Sequence, residues 1–200
     1  KEAIRACTKF SKGGPIKMWA LIQSFKNILN NNISGDFVEC GVWKGGNLIL
    51  FQKLIEKYNL TNRKIYGFDT FEGMPEPTNA DVDFMENRAI DKFAKRKINT
   101  NSSAWTYASL EEVKNNYILN TQKNENLVLT KGKVEDTLLN NNNIPDKIAI
   151  LRLDTDWYKS TKTEINTLYP RLQSGGILII DDYGHWQGSR KAIDEYFSSS

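Results

Sequence analysis

The chain has 200 residues, 40% hydrophobic and 26% charged, with 27 Lys and Arg against 24 Asp and Glu for a formal net charge of +3. That length and balance describe one globular domain, residues 1–200, large enough to bury a real core. The small, scattered positive charge offers no phosphate-tracking stripe and argues against a nucleic-acid partner, and no apolar run is long enough to span a bilayer.

Residues 1–34 read as an N-terminal helical segment. Met18, Ile22, Phe25 and Leu29 recur at three- and four-residue spacing over a helix from Pro15 to Asn31, and Pro15 suits a first turn. Asp36 to Cys40 is a short strand ending at Gly41, and Leu48 to Tyr58 is an apolar helix. Cys40 lies in this apolar stretch, so it and Cys7 are expected as free thiols. Lys64 to Phe68 is a second strand, ending at Asp69.

From Thr70 to Ala108 the pattern breaks. Pro75, Pro77 and Asn79 mark turns, and Asp91 to Lys97 suits a short helix. So long a stretch in a compact domain reads as a lid or substrate loop. Ser109 to Glu112 is a capping box that opens a helix to about Leu119.

Leu127 to Thr130 is a third strand, followed by Gly132, and Asn140 to Asn143 is a polar surface loop. Ile148 to Leu153 is a fourth strand, ending at Asp154. Thr161 to Leu172 is helical, ended or kinked by Pro170, and Gly175-Gly176 breaks the chain before a fifth strand, Ile177 to Ile180. Ser189 to Phe197 closes with an amphipathic helix. This alternation predicts an α/β fold: a doubly wound, mostly parallel sheet in strand order 3-2-1-4-5. Ligands of such sheets bind beyond the carboxyl ends of the strands, where Gly41, Asp69, Gly132, Asp154 and Asp181 all fall.

Three features there carry chemistry. The glycines of Glu39 to Asn47 let backbone approach a cofactor, or simply make a tight turn; their spacing is not that of a dinucleotide fingerprint. Asp69 is placed to accept from ribose hydroxyls, or to serve as a turn residue. Asp154, Asp156, Asp181 and Asp182 end neighbouring strands and share one small volume. Two like charges ~4 Å apart repel by ~4 kcal/mol at an effective dielectric of ~20. The cluster therefore needs protons, Lys or Arg partners, among them Arg152, Arg171 or Arg190, or a cation; carboxylates without nearby Cys or His ligands suit Mg2+, Mn2+ or Ca2+. The single histidine, His185, lies just past Asp182, as a structural donor or a substrate contact, and Trp157, Tyr183 and Trp186 are candidate pocket walls.

Several blocks in order resemble the macrocin O-methyltransferase (TylF/MycF) family of S-adenosylmethionine- and Mg2+-dependent enzymes. They are Asp36 to Gly46, Phe68 to Pro75, Gly132 to Leu138, Leu151 to Thr161 and Gly175 to Trp186, and the likeness spans about Gly35 to Phe197. The resemblance implies a Rossmann-like S-adenosylmethionine-methyltransferase fold and O-methylation of a small-molecule hydroxyl, on a sugar or glycosylated natural product. It implies that Glu39, Cys40 and Gly41 line the methionine and ribose side of the cofactor, with Asp154 close by. Asp69 would hold the ribose with Phe71 nearby, and Val134 and Glu135 would border the adenine. Asp154, Asp181 and Asp182 would bind Mg2+ or Mn2+. Asp156 or His185 would take the acceptor's proton as the oxygen attacks the sulfonium methyl.

This fold usually ends in an antiparallel sixth and seventh strand. The chain stops at Ser200, so the expectation is five parallel strands, no hairpin and a truncated C-terminus. The chain begins at Lys1 and shows no signal peptide; a cytoplasmic location is the default and homo-oligomerisation is left open. The alternatives are a metal-dependent glycosyltransferase reading Asp154-Thr155-Asp156 as its D-x-D, a nicotinamide dehydrogenase, and a non-catalytic cofactor-binding domain.

Overall fold

The computed structural model describes residues 2–60, 62–99, 102–123 and 125–198. Two helices open the chain, α1 (Glu2–Thr8) and α2 (Gly14–Asn30). Then follow β1 (Asp36–Cys40), α3 (Gly46–Lys57), β2 (Ile65–Asp69), α4 (Ala89–Ala94), α5 (Leu110–Thr121), β3 (Leu127–Lys131) and α6 (Val134–Thr137). The chain continues through β4 (Ile148–Leu153), α7 (Tyr158–Leu168), β5 (Leu172–Ile180) and α8 (Gln187–Ser198).

The five strands form one parallel sheet in the order β3-β2-β1-β4-β5, as the alternation predicts. Every residue of β4 is buried, as a central strand covered on both faces must be. Successive side chains of a strand point to opposite faces. Phe37, Ile65 and Ile150 therefore join a core with Phe25 of α2, Phe51 of α3 and Tyr117 of α5. Val38, Phe68 and Leu151 meet Ile165 of α7 and Ile193 of α8 on the other side.

Differences from the expected elements have local causes. Gly175-Gly176 does not break the chain before β5. Gly175 adopts φ +79, the β4–β5 register shifts between Ile148 and Ile150, and the strand continues through the irregularity. Helix α7 stops at Leu168, because Pro170 lacks an amide donor and sits in a 3-10 turn, Tyr169–Arg171. Ser109 caps α5 by accepting from the Glu112 amide at 3.1 Å, while the Glu112 carboxylate pairs with Lys44 at 3.0 Å. Asn141–Asn143 of the polar tract form a single 3-10 turn, and α6 is a short helix that the sequence pattern misses. Cys7 and Cys40 are free and buried. Among the described residues no helix is long and apolar enough to cross a membrane.

The irregular segment after β2 is held down firmly. Ala89, Phe93 and Trp105 pack on Trp157 and Trp186 in a separate small cluster, and the Trp157 indole donates to the Pro75 carbonyl at 3.0 Å. Asp81 is 1% exposed. Its Oδ2 accepts from the Thr78 amide at 2.6 Å and hydroxyl at 2.7 Å, and its Oδ1 from the Tyr158 amide at 2.7 Å. It thus serves as a long-range cap for the first turn of α7.

Candidate functional site

A cleft of about 350 Å³ opens at the carboxyl ends of the strands, the position this topology favours for a ligand. Its floor is built from register partners. Glu39 of β1 lies opposite Arg152 of β4, and Arg152 Nη1 donates to Glu39 Oε1 at 2.7 Å and to Asp154 Oδ2 at 2.7 Å. Arg152 Nη2 reaches Asp181 Oδ1 at 2.8 Å. Burial works against the Arg152 charge, but Asp154, Glu39 and Asp181 outweigh it and hold its pKa above the ordinary value. Burial raises the pKa of Glu39 against the pull of Arg152 and Asn47. Asn47 of α3 donates to Glu39 Oε1 at 2.7 Å, and Glu39 Oε2 is buried with no partner among the described residues.

The strand ends are pulled together by backbone bonds. The Asp154 amide donates to the Cys40 carbonyl and the Asp181 amide to the Leu153 carbonyl, each at 2.9 Å. Gly41, at φ +82, makes the first approach feasible: a Cβ there would stand 1.9 Å from the Asp154 carbonyl oxygen. Beyond these ends, one oxygen each from Asp154, Asp156 and Asp182 lie within 4.8 Å of one another. Asp156 is held in place by a left-handed backbone at φ +70. Burial, joined by the facing acids, lifts Asp156 to about 7 and Asp182 to about 9, and it raises Asp154 well above its ordinary value. Asp182 Oδ2 is buried without a partner among the described residues. Three converging carboxylates, one with an orphaned oxygen, fit a hard divalent cation such as Mg2+ or Mn2+.

Asp181 stands apart from this trio. The converging set has Asp156 where the resemblance implied Asp181, because both Asp181 oxygens are taken: Oδ1 by Arg152 and Oδ2 by Lys17 of α2. Burial tends to raise its pKa, but the two cations prevail and hold it below the usual carboxylate value.

The expected cofactor residues divide. Glu39, Gly41, Asp69, Val134, Glu135 and Asp154 all line the cleft. Asp69 is already engaged: Oδ2 accepts from the Val42 amide at 2.7 Å and the Trp43 amide at 3.1 Å, and Oδ1 from the Phe71 amide at 2.8 Å. It ties the turn after β1 to the turn after β2, and burial raises its pKa against those amides. Phe71 is buried in the core with α3 and α5. The Cys40 side chain packs in the core on the α7–α8 side, so it meets the site through its backbone carbonyl. His185 is exposed at the rim, with its ring centroid 5.4 Å from Phe84 and 5.0 Å from Trp186. Trp186 lines the cleft, Trp157 backs it from the tryptophan cluster, and Tyr183 faces a neighbouring groove that shares His185 and Trp186 with the cleft.

Four further residues shape the site. Arg152 had a legible signal, since a charge inside an apolar central strand must find partners. Glu164 of α7, fully buried, accepts from the Thr155 hydroxyl at 2.8 Å between the two acids of Asp154-Thr155-Asp156, and burial lifts it to about 8. Lys17 reaches the site from a distant helix and left no local signal. Lys12, from the same N-terminal stretch, bonds the Thr106 hydroxyl at 3.0 Å across the cleft mouth.

The model of the macrocin O-methyltransferase (TylF) family matches residues 8–200. The chain is 32% identical over 175 residues to a demethyldecarbamoylnovobiocin O-methyltransferase of Streptomyces niveus, a match covering 87% of this chain and 62% of that one. It is 28% identical over 172 residues to a mycinamicin III 3''-O-methyltransferase of Micromonospora griseorubida, covering 86% of this chain and 63% of that one. The chain thus spans a little over three fifths of these curated relatives. Among solved structures it matches the O-methyltransferase NovP with a TM-score of 0.81 at 28% identity, over 95% of this chain and 74% of that one. The calicheamicin methyltransferase CalS11 matches with a TM-score of 0.66 at 22% identity, over 93% and 72% of the two chains, which speaks to the fold alone.

Proposed function

The chain belongs to the macrocin O-methyltransferase family, and from that premise we propose that it transfers a methyl group from S-adenosylmethionine to a hydroxyl of a small molecule, a sugar or glycosylated natural product, with Mg2+ or Mn2+ at the acidic strand ends. The observation that carries this reading is the convergence of Asp154, Asp156 and Asp182 at the mouth of a cleft whose floor is Glu39 and Arg152. The acceptor class follows the relatives, which are named for novobiocin and mycinamicin acceptors. Membership of this family removes the glycosyltransferase and dehydrogenase alternatives.

When bound, S-adenosylmethionine would supply an electrophilic methyl group, and a divalent cation would supply Lewis-acid charge to the acceptor hydroxyl. Asp154 and Asp182, common to the expected and the observed acid sets, would hold the cation with a third carboxylate from Asp181 or Asp156. Glu39, Gly41, Val134 and Glu135 line the cleft where they would border the cofactor, and Glu39 would offer its unpartnered Oε2 to a donor there. Asp69 shapes that pocket by fixing the two turns that form it. Where Asp181 completes the cation's set, Asp156 is the carboxylate left to take the acceptor hydroxyl's proton. His185 contacts the acceptor from the rim, and the segment over the cleft excludes water through Trp105 and Trp186.

Calorimetric titration with S-adenosylmethionine tests the cofactor, with saturable heat expected. Formation of S-adenosylhomocysteine with demethyldecarbamoylnovobiocin as a trial acceptor, with and without EDTA, tests the chemistry. No cofactor binding would overturn the reading, and turnover unchanged in EDTA would remove the metal from it.

A further inference from the structure

Resting on the reading of a divalent cation at this edge, we propose that Lys17 is a built-in counter-cation that competes with the metal for Asp181 and so sets how tightly the protein holds divalent ions. Two cations contact Asp181, and they are not equivalent. The Arg152 side chain is 5% exposed and is shared among Glu39, Asp154 and Asp181, so it is a fixed part of the floor. The Lys17 side chain is 52% exposed and ion-pairs with Asp181 Oδ2 from the solvent side of the cleft, where it also lines the mouth.

The difference decides which cation can leave. Withdrawing Arg152 would strand the buried Glu39 and leave the half-buried Asp154 and Asp181 without their shared partner. Lys17 carries a compact, readily hydrated ammonium on a flexible stem and returns to water by rotating about its own side chain. Asp181 follows directly on β5 and is the backbone neighbour of Asp182, the member of the trio with an orphaned oxygen. With Lys17 in place, Asp181 is neutralised and both its oxygens are engaged. With Lys17 withdrawn, Oδ2 is free and the cluster gains one net negative charge. An ammonium on Asp181 and a divalent cation at this edge thus oppose one another, through their like charge and, where Asp181 completes the ion's set, through the same oxygen. Lys17 also belongs to the N-terminal stretch that crosses the cleft at Lys12 and meets the start of α3, where the Gly46 amide donates to the Phe10 carbonyl at 3.0 Å. Metal occupancy is thereby linked to one of the contacts that tether this stretch over the site.

The test is Mn2+ binding to the whole chain, followed by the electron paramagnetic resonance of free Mn2+ at fixed ionic strength, for wild type, Lys17→Met, Lys17→Arg and Asp154→Asn. We expect Lys17→Met to bind Mn2+ about tenfold more tightly than wild type, through removal of a unit charge beside the ion. Lys17→Arg, which retains the charge, stays at or below wild-type affinity. Lys17→Gln repeats the neutralisation should the methionine variant fold poorly, as judged by circular dichroism. Wild-type binding that is lost in Asp154→Asn, with Lys17→Met and Lys17→Gln equal to wild type or weaker, overturns the counter-cation role and leaves the metal site standing. No Mn2+ binding in any variant overturns both. Binding that appears only once Lys17 is neutralised supports the proposal in its strongest form.

Discussion

Glu39 and Arg152 are register partners on adjacent parallel strands, and their side chains meet at 2.7 Å beneath the cleft with 1% and 5% of their surfaces exposed. A buried pair of this kind contributes little beyond its own desolvation cost, but removing one member leaves an uncompensated charge. Arg152 serves three acids, so its loss is the more severe. Arg152→Met should lower stability in urea by about 3–5 kcal/mol. The double variant Glu39→Gln/Arg152→Met should recover part of that loss; a double variant no more stable than Arg152→Met would show that the pair is not the seat of the effect.

The acid trio should reveal a bound ion through stability as well as turnover. At a Mg2+ or Mn2+ concentration about 100 times the dissociation constant, the folded state gains about 2.7 kcal/mol. That gain should appear as a rise in melting temperature reversed by EDTA. It should vanish in Asp154→Asn and Asp182→Asn, whose carboxylates converge within 4.8 Å. An undiminished rise in both variants would place the ion elsewhere.

The same acids set a pH dependence in EDTA. Burial lifts Asp156 to about 7, Glu164 to about 8 and Asp182 to about 9, while unfolded carboxyls titrate near ~4. Between those limits the folded state binds more protons than the unfolded one. Stability is therefore full below about pH 4 as far as these groups are concerned, and it falls as pH rises through the folded values. Urea denaturation in EDTA should show the decline from pH 5 to 9, and Asp182→Asn should flatten its upper part. A flat profile in the wild type would remove these shifts from the account.

Gly41→Ala tests the close approach of β1 to β4. A left-handed backbone costs a residue bearing a Cβ roughly 1–2 kcal/mol, and here the added carbon meets the Asp154 carbonyl oxygen at 1.9 Å. The two strand ends must separate, moving Glu39 and Asp154 apart. Cofactor affinity by calorimetry should fall by more than the loss of stability alone explains; unchanged affinity would show that the approach is dispensable.

Asp81→Ala should free the segment over the cleft. It removes three hydrogen bonds and leaves the Tyr158 amide at the start of α7 without its cap. Limited proteolysis should cut between residues 76 and 99 faster than in the wild type, with acceptor KM rising more than kcat falls. Equal proteolysis would place the anchor in the tryptophan cluster instead.

The sheet and its order were legible because each strand is a short apolar run ending in Gly or Asp, and because five such runs alternate with helical spacing. The acids at Asp154, Asp156, Asp181 and Asp182 were legible for the same reason: they end neighbouring strands. How they divide was not. Lys17 lies far from Asp181 in sequence, and no local pattern announces that its ammonium occupies that carboxylate. Asp69 adds a second case. Its position at the end of β2 suggested a ligand contact, and no local pattern announced that its oxygens also accept from the amides of Val42, Trp43 and Phe71. The segment from Thr70 to Ala108 lacks periodicity because its order comes from the distant partners Tyr158, Trp157 and Trp186.

The carboxylate of Asp81 sits where a side chain at position 188 would otherwise go: a Cβ on Gly188 would stand 2.2 Å from Asp81 Oδ1. The mount for the segment over the cleft is thus split between two distant parts of the chain, a carboxylate carried by the segment and an empty space kept at the start of α8. For anyone building chimaeras across this segment, the portable unit is not the loop alone. A transplanted segment seats only if it brings an acid to position 81 and its host offers glycine at position 188.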